Sequence, residues 1–258
     1  MGQFSCHGDP QNPPLVLLHG FLGSQQDWST VIETISQQFY CVSIDLPGHG
    51  AQAHQGINSF DDVVAVILQQ LQAIGIARFH LLGYSLGGRI ALHIAKQVPD
   101  RILSLHLESC HPGLTCEQDK RDRKQADGKW AQKLAQLSMV DFLALWYQQP
   151  VFAELNPAQR QALIQRRSHN QPDALAEIYN ATSLAKQQDL ALVPNLLPHR
   201  CHFYVGDQDS KFLAIGQQWQ QQTQLSLHVI RDAGHNVHLA QPTLFCQSLL
   251  TQLLKEFK

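Results

Sequence analysis

The segment Leu82-Gly83-Tyr84-Ser85-Leu86-Gly87-Gly88-Arg89 constrains this chain more than any other stretch of it. It contains G-x-S-x-G, with the apolar run 79–82 before it and a helical pattern over 86–97 after it. A serine set between a buried strand and a helix sits on a sharp turn, and the glycines leave that turn the room it needs. The turn pushes the hydroxyl out at the sheet edge, next to the free N–H groups of a helix N-terminus. Ser85 is therefore the first candidate for the working centre.

Around it, short apolar runs alternate with amphipathic helical patterns, the signature of a parallel sheet covered on both faces. Strands are predicted at 15–18, 40–44, 79–82, 103–107, 201–205 and 225–230, and helices at 28–38, 60–74, 86–97, 212–222 and 242–257. Between 110 and 195 the strands stop and helical patterns appear near 117–137, 140–147, 157–167 and 173–186. An insertion there would lie over the carboxyl edge of the sheet, where open α/β sheets bind ligands. The predicted organisation is a core of 1–109 and 196–258 with a helical cap at 110–195.

The length of 258 residues suits such a capped core, and 44% hydrophobic content lets it bury one. A net charge of −2 gives no pull toward nucleic acid or an anionic membrane. Any basic patch must be local, suited to a small anion. The six cysteines show neither a CxxC nor a metal-ligand spacing, so reduced thiols are expected. No secretory segment opens the chain and no run reaches the length of a membrane span. A cytoplasmic protein is expected, with a monomer as the expected state.

A Ser–acid–His order along the chain is that of the α/β-hydrolase fold. His235 stands in a loop after the last predicted strand, and Asp207 and Asp209 follow the strand before it. Either aspartate can be the acid, or both can simply cap the helix near 212. Asp45, in Asp45-Leu-Pro-Gly48-His-Gly50, reads as structural. Among the other histidines, His7, His54 and His199 read as surface or loop residues, His93 and His106 as partly buried and satisfied. His238 reads as a neighbour of His235 and not as a second base.

Arg89, one helical turn beyond Ser85, is costly to bury without a partner and calls for a carboxylate, of the protein or of a substrate. The cap adds Lys120, Arg121, Arg123, Lys124, Arg166 and Arg167, either a solvated face or a set of forks for a substrate with several carboxylates. Trp146 and Tyr147 offer a flat surface for a ring, or cap packing.

Gly83–Arg89, Glu108-Ser-Cys-His-Pro-Gly-Leu114, Trp146-Tyr-Gln-Gln-Pro-Val-Phe-Ala153, Gly206-Asp-Gln-Asp-Ser-Lys-Phe212 and Ala233-Gly-His-Asn236 carry a resemblance. They resemble the 2-succinyl-6-hydroxy-2,4-cyclohexadiene-1-carboxylate synthases of menaquinone biosynthesis, from about Leu15 to the C-terminus. The elbow and histidine loop belong to the whole superfamily; the Trp-Tyr-Gln-Gln-Pro-Val-Phe and Asp-Ser-Lys-Phe stretches are far more specific. The resemblance implies a lyase that removes the proton beside a succinyl ketone and expels pyruvate from a small tricarboxylate, without metal or organic cofactor. It implies Asp209 as the acid beside Ser85 and His235, and the backbone N–H groups of Phe21 and Leu86 as the oxyanion hole. It implies Tyr84, Arg89, Arg123, Trp146, Tyr147, Arg167 and Lys211 as substrate-binding residues, with weaker claims for Arg121, Lys124 and Arg166. An esterase or C–C bond hydrolase acting on a carboxylated substrate is the rival enzyme. A non-catalytic binding member of the fold would not need Ser85, Asp209 and His235 intact.

Overall fold

The apolar runs form a single seven-stranded sheet in the computed structural model, which describes residues 4–50 and 56–257. Its strands are β1 (Phe4–His7), β2 (Pro14–Leu18), β3 (Tyr40–Ile44), β4 (Phe79–Tyr84), β5 (Ile102–Glu108), β6 (Cys201–Gly206) and β7 (Ser226–Ile230). Their order is β1-β3-β2-β4-β5-β6-β7, parallel except for β1, which pairs antiparallel with β3. The six predicted strands are all present. The seventh, β1, lies in a stretch that reads as polar. It is a half-exposed edge strand, and an edge needs no two-sided apolar run.

Helices α1 (Ser29–Ile35), α2 (Phe60–Ala73) and α3 (Leu86–Gln97) intersperse the first strands; α8 (Ser210–Gln222), α9 (Val237–Ala240) and α10 (Pro242–Leu253) follow β6 and β7. One face of the sheet packs Val16, Leu81 and Leu105 against α2, α3 and α8. The other packs Leu17, Leu82 and Tyr204 against α1 and α10. The sheet is thus buried on both faces, as its near-continuous apolar strands require.

Residues 110–195 carry α4 (Glu117–Gln136), α5 (Met139–Trp146), α6 (Pro157–Arg167) and α7 (Pro172–Ala181), with no strand among the described residues. They have a cluster of their own, Leu134, Phe142, Leu143, Ile164 and Leu175, joined by Leu22 from the loop after β2. Three helices are shorter than the sequence predicts, among them α10, which gives way to a 3-10 turn at 254–257. Trp28 falls in a 3-10 turn, 25–28, where Ser24 and Asp27 form a capping box, so α1 starts after it. α7 stops at Ala181, and the Thr182 carbonyl goes to Arg89 in place of a further helical N–H.

The six cysteines are free thiols, four buried and two exposed. Among the described residues no helix is long and apolar enough to cross a membrane. His7 and His199 are exposed, as the sequence predicts, and His54 lies outside the described residues. His106 is fully buried and bonded to Ser104 and Tyr204. His93 differs from the expectation: it is buried in a stack on Phe60, and its Nε2 has no hydrogen-bond partner.

Candidate active site

β4 runs into α3 with one residue between them, and that residue is Ser85. It sits at φ 50° and ψ −105°, a backbone state that costs an L side chain roughly 1–3 kcal/mol and persists only where the surroundings enforce it. Here its N–H donates to the Glu108 carbonyl at 2.8 Å, and its own carbonyl accepts the Arg89 N–H at 3.1 Å. The glycines earn their place sterically: a Cβ on Gly83 would collide with the Gly87 carbonyl, and one on Gly87 with the Leu18 carbonyl. That close approach of β2 to α3 brings the loop after β2 beside the serine.

His235 Nδ1 lies 2.7 Å from Asp209 Oδ2, and its Nε2 lies 3.3 Å from Ser85 Oγ. A carboxylate only accepts, so Nδ1 carries the proton and Nε2 is left to accept from the serine hydroxyl. Asp209 and His235 are both buried. The other Asp209 oxygen accepts the Phe212 N–H at 3.2 Å, so one carboxylate caps α8 and holds the imidazole. Capping and orienting are not alternatives here. Asp207 is exposed, and no side-chain contact joins it to His235.

Phe21 and Leu22 are held from several directions. The Leu22 N–H donates to His49 Nε2 at 3.0 Å, and the Leu22 carbonyl accepts from Asn170 Nδ2 at 2.9 Å. The Phe21 carbonyl accepts from Arg167 at 3.4 Å. His19 donates from Nδ1 to the Gly20 carbonyl and accepts the Leu46 N–H at Nε2. Both histidines thus work as neutral rings, and burial pushes both pKa values below the ordinary range. The 3.9 Å approach of His19 to Asp45 is accordingly no ion pair. Asp45 instead accepts from the Gln25 main chain and side chain, the structural role its turn predicts. Leu86 opens α3, so its N–H has no intrahelical acceptor.

The predicted binding residues fall into two groups. Tyr84, Trp146, Tyr147 and Arg167 line one cavity of about 400 Å³, with Phe21, Phe152, Glu154, Arg166 and Gly234. Burial raises the Tyr147 hydroxyl to about 12, so it stays a proton donor. Arg167 is buried against Asp27 at 3.0 Å, with Arg166 at 3.7 Å from the same carboxylate. Burial opposes ionisation of Asp27, but the Arg167 guanidinium, with Arg166 adding to it, holds its pKa below the usual carboxylate range.

Arg89, Arg123 and Lys211 are absent from that lining and form a second cationic group, in which Arg123 acts on the other two, and burial together with all three keeps the nearby His111 neutral. Arg123 pairs with Asp127 at 2.7 Å, and Asp127 also accepts from Tyr179 and Ser183. Of the two carboxylate partners expected for Arg89, the protein one is absent among the described residues: Arg89 donates to the Thr182 carbonyl at 2.8 Å and reaches Gln187 at 3.4 Å. Burial, with Arg123 nearby, lowers its pKa to about 10. Lys211 lies over the Phe212 ring, its pKa lowered by burial and by Arg123. Arg121 donates to Gln118 on an exposed part of α4.

Sequence reasoning gave no role to Asp27, Asn170 or Glu154. Asp27 was legible only as the fourth position of a capping box. Glu154 accepts the His235 N–H at 3.2 Å and packs on Gly234, contacts across 81 positions that no local pattern encodes. His238 is buried behind Tyr84 and bonded to Glu108, a neighbour of the site and not a second base.

The family described as alpha/beta hydrolase fold matches residues 13–242. A 2-succinyl-6-hydroxy-2,4-cyclohexadiene-1-carboxylate synthase of Salmonella newport (strain SL254) is 41% identical over 251 residues, 96% of each chain. Among solved structures, MenH from S. aureus superposes with a TM-score of 0.90 at 25% identity over the whole of both chains. The enol-lactonase from Burkholderia xenovorans LB400 gives 0.81 at 19% identity, covering 97% of this chain and 95% of its own, a likeness of fold alone.

Proposed function

The chain belongs to the 2-succinyl-6-hydroxy-2,4-cyclohexadiene-1-carboxylate synthase family of the α/β-hydrolase fold, and from that membership we propose how its site works. It is a lyase of menaquinone biosynthesis. It eliminates pyruvate from 2-succinyl-5-enolpyruvyl-6-hydroxy-3-cyclohexene-1-carboxylate to give 2-succinyl-6-hydroxy-2,4-cyclohexadiene-1-carboxylate. Ser85 is the base: its hydroxyl proton passes to His235 Nε2, and its oxygen takes the proton beside the succinyl ketone. Asp209 keeps His235 in the receptive tautomer and stabilises the imidazolium. The electrons released shift the ring double bond, and the enolpyruvyl C–O bond breaks, its oxygen leaving with the pyruvate enolate. The Phe21 and Leu86 N–H groups meet the enolate oxygen of the ketone, each worth about 2.7–4 kcal/mol.

The observation that carries this reading is the hydrogen-bonded line from Ser85 through His235 to Asp209 beside two groups of cations. A substrate with three carboxylates calls for such a setting. An arginine has five N–H donors, and the protein contacts use one nitrogen each of Arg89 and Arg123 and two of Arg167. The remaining donors, with Lys211, suit carboxylates, while Tyr84, Trp146 and Tyr147 suit the ring. In this reading residues 110–195 act as a cap over a core of 1–109 and 196–258, and the enzyme works in the cytoplasm, as a monomer, without a cofactor.

Incubation with the enolpyruvyl substrate should release pyruvate and the conjugated diene in equal amounts. No pyruvate above the enzyme-free blank would remove the lyase assignment. Hydrolysis of a carboxylated ester in its place would favour the hydrolase.

A further inference from the structure

Glu108 ends β5 as a carboxylate with no solvent access, and the proton relay does not use it. Burying such a charge is expensive unless its oxygens are satisfied, and here they are. Oε1 accepts the main-chain N–H groups of Val237, at 2.6 Å, and His238, at 3.1 Å. Oε2 faces His238 Nδ1 at 2.7 Å. Val237 opens α9, one residue removed from His235. The main-chain carbonyl of the same Glu108 accepts the Ser85 N–H at 2.8 Å. The elbow and the histidine loop, 150 positions apart in sequence, are therefore fastened to one residue.

The anchor itself is fixed. Glu108 stands in register with Tyr84 of β4 and Tyr204 of β6. Ser109 next to it turns left-handed at φ 47°, with its N–H bonded to the Tyr204 carbonyl at 3.1 Å. On the far side of the contact, the His238 ring is stacked on Trp28 with centroids 4.1 Å apart and meets the edge of Tyr84.

We propose that Glu108 is a positioning residue for the Ser85–His235 hydrogen bond, tying the elbow by its carbonyl and the histidine loop by its carboxylate to one point of the sheet. The relay needs this because the 3.3 Å separation between Ser85 Oγ and His235 Nε2 spans two loops 150 positions apart, and the packing of Tyr84 on the His235 and His238 rings that also joins them is not directional. A misplacement of about 1 Å costs such a relay on the order of a hundredfold in rate.

The proposal rests on Ser85 and His235 acting together, not on which substrate they serve, so the test uses a reagent that reads the pair alone. A phosphonofluoridate forms a phosphorus–oxygen bond to Ser85 as fluoride leaves and the hydroxyl proton passes to His235. Glu108→Asp keeps the charge but draws it back by one carbon. Labelling and kcat should both fall at least tenfold, with KM within about threefold and the melting temperature close to that of the parent. Glu108→Gln should stay within threefold in labelling and kcat. Its amide oxygen can accept both main-chain N–H groups, and its NH2 can meet the other tautomer of His238. Val237→Pro removes one donor without touching β5, at a first helical position where proline is tolerated, and should slow labelling like Glu108→Asp. This variant decides the matter if the aspartate does not fold. Wild-type labelling in Glu108→Asp or Val237→Pro, or a glutamine variant as slow as the aspartate, overturns the proposal. Normal labelling of the parent without pyruvate release would overturn the lyase reading and leave this one standing.

Discussion

Ser85 is half-buried and Arg167 buried, and their removal should be felt in different ways. Ser85→Ala deletes one oxygen from a preformed elbow. Turnover should fall by several orders of magnitude while substrate affinity changes little, because members of such a relay act as a unit. Single-turnover kinetics with a parallel binding measurement check this, and activity within tenfold of the parent would mean that another group takes the proton. Arg167→Ala is a different case. It leaves Asp27 buried and deprived of its nearest cation, and it takes a donor from the Phe21 carbonyl. Breaking a buried pair from one side costs about 3–5 kcal/mol, so denaturant unfolding should register the loss. kcat should fall along with a rise in KM, since the loop bearing Phe21, whose N–H is proposed for the oxyanion hole, is released. A change in KM alone, at full stability, would make Arg167 a pure substrate contact.

Among the elements, the contact of β2 with α3 sets the geometry of the elbow. Gly87→Ala would drive a methyl into the Leu18 and His19 carbonyls, and neither strand nor helix can yield without moving the loop that carries Phe21. Activity and Ser85 labelling should both be lost, more completely than in Gly128→Ala, where the added methyl meets open space on α4. Equal activities in the two would show that the close approach is dispensable. The sharp turn was readable from G-x-S-x-G, and the parallel strands from apolar runs that announce two-sided burial, whereas the close approach of β2 to α3 was not. What stayed hidden has a common cause. β1 is an edge with one covered side, so its four residues carry no continuous apolar run. Arg89 finds a main-chain carbonyl exposed by the end of α7, a partner that any residue type could supply. Asn170 and Glu154 reach across more than 80 positions to brace loops, and such contacts leave no periodicity behind. Ser85, His235 and the pair Asp207 and Asp209 stood out because relay chemistry restricts residue types, with the resemblance pointing to Asp209, whereas bracing restricts none.

At the scale of the whole molecule, the buried histidines set the response to acid. His80, His106 and Tyr204 are linked through Ser104 across β4, β5 and β6, and His202 meets His228 on β7. The His106 and His202 rings are stacked with centroids 5.0 Å apart, so a proton on one would repel a proton on the other. Burial lowers His80, His93, His111, His202 and His228 to about 4, with neighbouring cations adding to the effect at His93, His111, His202 and His228. His49 and His106 go well below the ordinary 6.5. The folded chain keeps these rings neutral while the unfolded chain takes up protons below about 6.5, so stability falls as pH drops through the window from 6.5 to 4. Each extra proton on the unfolded chain steepens the fall by about 1.4 kcal/mol per pH unit. Asp27, whose pKa is depressed, contributes stability that is lost only lower still, through the carboxylate range, so the two windows are separate. Melting temperatures across a pH series should therefore be level above 7 and decline steeply from 6.5 downward, and a level profile down to 4.5 would contradict the neutral-ring account. The decline should take activity with it. His19 and His49 accept main-chain N–H groups at the loop beside Ser85, and protonation turns each acceptor into a donor facing a donor. Acid inactivation and loss of the fold should thus share one midpoint, and an activity loss well above the melting transition in pH would place its cause in the relay instead.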